Sequence, residues 1–252
     1  MTFEVAADAY DRFMGRYSAL LSPQLADLAG VQAGQRAIDV GCGPGALTAE
    51  LVTRLGPAAV AAVDPSEPFV EAARTRNPGV DVRRASADQL PFQDWEFDAA
   101  LAQLVVHFMP DPLAGLAEMA RVTRQGGVVA ACVWDYGSRQ SPLRVFWEAA
   151  RELDAEVDDE SRLPGTREGH LAELFDAAGL RAIQDAALTS SLEHHSFEEW
   201  WQPFTLGVGP AGKYAAGLDP EHLTELREKC RRLLPTTPFV VTATAWAARG
   251  LA

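Results

Sequence analysis

A chain of 252 residues, 48% of them hydrophobic, is long enough for one large α/β domain and can bury a substantial core. Its 35 acidic residues outnumber 22 basic ones, a formal net charge of −13 that disfavours a nucleic-acid substrate. Cys42, Cys132 and Cys230 are too scattered for a disulfide framework or a metal cluster; with no leader pattern and no apolar run of about 18 residues, the expectation is a cytoplasmic, reduced protein without a membrane span.

Residues 1–34 read as helical, with Ser22 and Pro23 as a helix start and Gly34 as punctuation. Short apolar runs then alternate with amphipathic patterns. Strands are expected at 36–40, 58–64, 80–85, 97–106 and 128–134. Between them the spacing predicts helices over 45–56, 66–79 and 111–127. In the last of these Asp111 caps the start, Arg121 and Arg124 complement the C-terminal end, and Gly126 stops it. Such alternation means a mostly parallel sheet with helices on both faces.

Beyond residue 134 the rhythm changes. Helices are expected at 142–157, 168–180, 196–204 and 219–234, and strands at 182–192 and 239–250. The block 193–235 thus reads as an insertion before the last strand. Gly207, Gly209, Gly212 and Gly217 suggest that it includes a mobile lid. The basic run Arg227, Lys229, Arg231 and Arg232 is interleaved with acids and reads as a solvated helix face.

The strand at 36–40 ends in "DVGCGPGAL", placing Gly41, Gly43 and Gly45 between a strand and a helix. Glycine is needed there where φ is positive or where a ligand approaches backbone, and the helix start leaves N–H groups unpaired. The spacing is G-x-G-x-G, whereas a dinucleotide site shows G-x-G-x-x-G. Asp64 ends the second strand, 19 residues after Gly45, where a carboxylate can accept from both ribose hydroxyls. Each feature alone allows a structural reading, a tight turn for the glycines and a helix cap for the acid. Together they point to a nucleoside site.

At these residues the chain resembles the class I S-adenosylmethionine-dependent methyltransferases, in particular the small-molecule branch similar to ubiquinone and menaquinone enzymes. "AIDVGCGPGALT", "VAAVDPS", "ASADQLPFQDWEFDAALAQLVVHFMPDP" and "MARVTRQGGVVAACVW" carry the resemblance across 36–134, with looser likeness at 10–18 and near the C-terminus. It implies a Rossmann-like, doubly wound, seven-stranded and mostly parallel sheet with an antiparallel last strand. N-terminal helices (1–34) would precede a core formed by 35–192 and 236–252, and a helical cap (193–235) would sit within one domain. It implies S-adenosyl-L-methionine as cofactor and S-adenosyl-L-homocysteine as product. By position, Asp39 and Gly41 would face the methionine amino group, with Cys42 in the same loop, and Gly43 and Gly45 would permit close approach. Asp64 would hold the ribose, Pro65 would border the adenine, Ser86 and Ala87 would meet its edge, and Gln103 would offer backbone beside the methionine moiety. Ser86 stands where many relatives carry Asp, so Asp88 or water is expected to assist, or the cofactor to be held somewhat more loosely. Arg16 would either reach the cofactor carboxylate from the N-terminal helix or lie on the surface.

The acceptor expected is a small organic molecule, methylated at O, N or C by a monomer or homodimer with no metal. Neither an Asn/Asp-Pro-Pro-Tyr run nor a Pro-Cys nucleophile for nucleobases is present. Where the acceptor must lose a proton, a base is needed. His107, at the end of the fourth strand, and His195 are the leading candidates, with His194, Asp135 and Tyr136 behind them. Trp200, Trp201, Phe204, Phe146 and Trp147 read as cap core, as an aromatic acceptor wall, or as both. The alternatives are a cofactor-binding regulator without turnover and, with weaker support from the glycine spacing, an NAD-dependent oxidoreductase.

Overall fold

The computed structural model describes residues 7–252; the first six residues of the expected N-terminal helical region, and of the segment read for a leader, lie outside the described residues. Seven strands, β1 (Ala37–Val40), β2 (Val60–Asp64), β3 (Asp81–Arg84), β4 (Phe97–Gln103), β5 (Thr123–Trp134), β6 (Arg181–His194) and β7 (Phe239–Leu251), form one sheet in the order β3-β2-β1-β4-β5-β7-β6. β1 to β5 are mutually parallel, and β7 runs antiparallel between β5 and β6. The Rossmann-like sheet with an antiparallel last strand is therefore present.

The period of two along the strands sorts the core. Ile38, Val40, Ala100, Ala102, Val129 and Ala131 pack on one face with Leu116 and Met119 of α5 (Pro112–Val122) and Phe175 of α7 (His170–Ala177). Ala37, Leu101, Ala130, Cys132 and Trp134 point to the other face. There they meet Leu21 and Leu25 of α2 (Arg16–Ala29) and Leu47 and Leu51 of α3 (Ala46–Leu55). A short α1 (Ala7–Tyr10) runs through a π-helical turn, Asp11–Gly15, into α2, and α4 (Glu67–Arg76) covers β2 and β3. After α6 (Arg144–Leu153), the helices α8 (Phe197–Trp201), α9 (Gly209–Gly217) and α10 (Pro220–Leu233) all fall between β6 and β7.

Three expectations change. The helix predicted over 111–127 stops at Val122, because Arg124 pairs with Asp98 of β4 and residues 123–127 join the sheet. The glycine-rich stretch after 206 contains a packed helix, α9, whose Gly212 meets the neighbouring turn closely: a Cβ there would lie 2.7 Å from the Gly207 carbonyl carbon. Gly212 thus has a packing role, whereas a Cβ at Gly207 or Gly217 would meet nothing within 4 Å. β6 extends through His194, so the histidine pair straddles a strand end instead of opening the inserted block. Among the described residues no helix is long and apolar enough to cross a membrane.

Candidate active site

The loop after β1 is held by the strand beside it. The Gly41 and Cys42 N–H groups both donate to the Val63 carbonyl, at 2.8 and 2.9 Å. Gly41 has φ +74°, and a Cβ there would come within 2.5 Å of both Val105 methyls. Gly43 is different: the atom nearest to a Cβ at that position would be Tyr10 Cε1 at 4.0 Å, so the space above it is open. Gly45 ends the loop and caps α3.

Two carboxylates lie under this loop. Asp64 accepts from the Gly43 N–H at 2.9 Å and the Ser66 N–H at 2.8 Å, one on each oxygen. Burial outweighs those bonds and pushes its carboxyl up to about 6. Asp39, 1% exposed, takes a hydrogen bond from the Thr48 hydroxyl at 2.7 Å on Oδ2, while its Oδ1 has no partner. Burial, opposed by Thr48 and reinforced by the charge of Asp64, pushes Asp39 up to about 7.

Two cavities meet at the glycine loop, of about 1070 Å³ and about 970 Å³ counted out to their mouths, and share Tyr10, Gly41, Gly43 and Gln103. Asp64, Pro65, Ser86 and Ala87 line the larger; Arg16, Asp39, Cys42 and Gly45 line the smaller. Every cofactor residue expected from the sequence thus borders one of the two. Asp88 does not; it is exposed, which leaves Ser86 without that carboxylate. Arg16 reaches the smaller cavity while its guanidinium pairs with Glu199 of α8 at 2.7 Å.

The larger cavity also draws on residues the sequence did not single out. Tyr10, Phe13 and Met14 enter from the N-terminal helix through its π-helical turn, a form often found at functional sites. Their spacing at i, i+3 and i+4 is the signal that was available. Glu160, from a 3-10 turn at Glu160–Arg162, and Val208, Gly209 and Pro210 complete the far wall. Leu104, directly after β4, lines it with φ +62°, an uncommon conformation for a branched side chain.

A family model described as a methyltransferase domain matches residues 38–131. A curated relative from Mycobacterium ulcerans, a phthiotriol/phenolphthiotriol dimycocerosates methyltransferase, is 33% identical over 135 residues; the match takes in 49% of this chain and 49% of the relative, so the chain spans about half that relative's length. An uncharacterized methyltransferase from Mycobacterium sp. strain KMS is 32% identical over 177 residues, covering 67% of this chain and 69% of the relative. The chain belongs to the class I S-adenosylmethionine-dependent methyltransferases. Among solved structures, the geranyl diphosphate C-methyltransferase of Streptomyces coelicolor, described with Mg2+, geranyl diphosphate and S-adenosyl-L-homocysteine, aligns with a TM-score of 0.55 at 15% identity, covering 94% of this chain and 80% of that one.

The residues present fit the methyltransferase cofactor. Asp39 Oδ1 and Gln103 Oε1 are buried acceptors without partners, on residues that border the smaller cavity together with Gly43, an arrangement suited to an ammonium donor. Gln103 holds its amide in place by donating to the Ser18 carbonyl at 3.0 Å.

The two leading base candidates part company. His107 lines the larger cavity, 3% exposed, with Nδ1 unpartnered and its ring against Phe108; burial lowers its pKa to about 3 and keeps it neutral. His195 is exposed and lines neither cavity of the methyltransferase, since it follows the strand end on the outward side. His194 is buried instead, within 3.1 Å of the Tyr17 hydroxyl and stacked on Phe239. Tyr136 borders the larger cavity and Asp135 does not. The cap aromatics take the core reading: Phe146 and Phe204 stack at 4.6 Å, Trp200 lies 4.7 Å from Phe204, and none of them, nor Trp147 and Trp201, lines either cavity.

Proposed function

We propose that this methyltransferase moves a methyl group from S-adenosylmethionine to a small organic acceptor held in the apolar half of the larger cavity. The observation that carries the reading is continuity: one cavity runs from Asp64, Pro65 and Ser86 to a wall of Phe13, Met14, Trp134 and Leu143. Asp64 would take the ribose hydroxyls, Ser86 and Ala87 the adenine edge, and Asp39 with Gln103 the amino-acid end. The cofactor supplies an activated methyl on a sulfonium. The protein's own contribution is to align the acceptor, keep water out and hold a neutral His107 near the reacting end. Cys42, Cys132 and Cys230 are buried free thiols, which supports the cytoplasmic reading. The helices between β6 and β7 serve as the cap, since Val208 to Pro210 close the cavity's far side.

Calorimetry with S-adenosylmethionine and S-adenosylhomocysteine, followed by mass detection of methylated product over a panel of small hydroxyl, amine and activated-carbon compounds, tests this. Uptake with product on at least one class is expected. Uptake without any product would return the protein to the regulator reading, and no uptake would remove both.

Arg16 offers a second check. We expect its guanidinium to exchange Glu199 for the cofactor carboxylate, since Arg16 already borders the smaller cavity beside Asp39 and Gln103. Arg16→Ala should weaken cofactor binding by about tenfold and Glu199→Gln should strengthen it a few-fold, because the guanidinium loses its competitor. Unchanged affinity in both variants would leave Arg16 as a surface ion pair.

A further inference from the structure

The far wall of the larger cavity has a charge with no counter-charge. Glu160 is 2% exposed and borders the cavity beside Tyr136 and Leu143. Its Oε2 accepts from Trp147 Nε1 at 2.9 Å, and the Tyr136 hydroxyl donates to the same carboxylate. Glu160 makes no ion pair among the described residues. Both arginines of α6 are paired elsewhere, Arg151 with Asp159 and Arg144 with Glu148. Taking a carboxylate out of water without a cation is costly, and two neutral donors offset only part of that.

The rest of the lining has the same bias. Among the described residues no lysine or arginine lines this cavity. Its ionisable members are Asp64 and Glu160, two tyrosines whose protons are held tightly by burial, and His107, kept uncharged by burial. The walls between are rings and aliphatic groups: Phe13, Met14, Phe108, Trp134, Leu143 and Val208. Anionic groups and aromatic faces without competing cations attract a positive guest and repel a negative one.

We propose that Glu160, oriented by Trp147 and Tyr136, is the recognition group for the acceptor, and that the acceptor is an organic amine bound as its ammonium ion, with a ring-sized apolar body against Phe13, Trp134 and Leu143. The proposal rests on the methyl-transfer reading of this cavity and deepens it by naming the acceptor class. It assigns the anchor and leaves open which atom of the acceptor takes the methyl. The neutral His107, with its free Nδ1, adds a polar contact without repelling the cation. Burial, with the charge of Asp159 adding to it, pushes the Glu160 carboxyl up to about 7, against the Trp147 and Tyr136 hydrogen bonds; the anchor is therefore charged above that pH and neutral below it.

Three matched probes test the assignment on the full chain saturated with S-adenosylhomocysteine, by calorimetry: 2-phenylethylamine, 2-phenylethanol and 3-phenylpropionate. At pH 8 the amine is expected to bind at least about tenfold tighter than the alcohol, and the acid not measurably. Lowering the pH to 6 should weaken the amine about tenfold and leave the alcohol unchanged, since the carboxylate is protonated while the amine keeps its charge. Glu160→Gln keeps an oxygen for Trp147 and Tyr136, and should cost the amine about 30-fold or more while sparing the alcohol and the cofactor product. If that variant does not fold, the ordering of the three probes on the unaltered chain and its pH dependence still decide. No detectable amine binding, an alcohol bound as tightly as the amine, or an amine preference that survives Glu160→Gln would each overturn the proposal. Failure of S-adenosylhomocysteine uptake in the first step would instead strike the methyl-transfer reading.

Discussion

Replacing Asp64 with alanine is expected to weaken S-adenosylmethionine binding by about 100-fold, roughly 2–3 kcal/mol. The carboxylate sits at the end of β2 with one oxygen fixed by the Gly43 N–H and the other by the Ser66 N–H. Each oxygen keeps a further acceptor site, so both ribose hydroxyls can donate to a group that is already oriented. Alanine removes these acceptors and also leaves two backbone N–H groups without partners, one of them at the start of α4. A lower melting temperature is therefore expected alongside the lost affinity. Asp64→Asn lessens both effects: it fills the same space and retains one strong acceptor, leaving one of the two backbone N–H groups opposite an amide donor, and should lose only about tenfold. Calorimetry on both variants, with circular dichroism to establish folding, is the measurement. A folded Asp64→Ala protein that binds the cofactor as the unaltered chain does would take Asp64 out of the site.

The parts of this architecture readable from sequence are those where a local pattern and the tertiary role coincide. The runs at 37–40 and 99–103 are buried on both sides, so their strands announce themselves. Asp111 is read as a helix start because its side chain accepts from the turn that follows, as it does here, and Ser196 does the same at the start of α8. The glycine loop and Asp64 are legible for the same reason: each is a local answer to a backbone demand. What was not legible is set by contacts distant in the chain. Thr123 to Gly127 carry a helix-ending signature, yet the sheet captures them, with Arg124 drawn to Asp98. The cap tryptophans look like a binding wall in one dimension but pack behind it, Trp201 stacked on Phe146 and Trp200 tilted against Phe204. Glu160 is a single acid in an acidic stretch, and only the packing of Trp147 and Tyr136 around it distinguishes it from its neighbours. Tyr10, Phe13 and Met14 share a helical spacing that any packed helix shows, Phe13 and Met14 buried and Tyr10 half-buried; that they cover a cavity is a property of the fold.

Cofactor affinity is expected to rise with pH between about 5.5 and 7.5, by up to roughly tenfold, with release of a proton on binding. The origin is Asp39. Burial raises its carboxyl from the ordinary value to about 7, so near neutrality the cofactor-free protein holds a proton there that the unfolded chain does not. The sign for stability follows: between the unfolded value, near 4, and about 7 the native state binds more protons than the unfolded state, so the cofactor-free protein loses stability as pH rises through that window. For binding the sign reverses. An ammonium placed against the unpartnered Asp39 Oδ1 favours the ionised carboxylate, so the proton leaves as the cofactor enters, and higher pH favours the complex. Of the other groups facing Asp39, Tyr10 and Cys42 have their protons held to well above this range, whereas Asp64, raised to about 6, titrates in its lower half with the same sign, because ribose hydroxyls favour the ionised carboxylate; the Asp39 contribution is therefore read above about pH 6.5. Asp39→Asn isolates the contribution. It keeps the Thr48 contact through an amide oxygen, removes the titration, and should flatten the pH profile above about pH 6.5 while lowering affinity most at pH 7.5. Calorimetry of S-adenosylhomocysteine binding in two buffers of different ionisation enthalpy counts the released protons directly. A profile that is flat in the unaltered chain, or equally steep in Asp39→Asn, would place the ammonium elsewhere and leave the buried oxygen of Asp39 to a purely structural role beside Thr48.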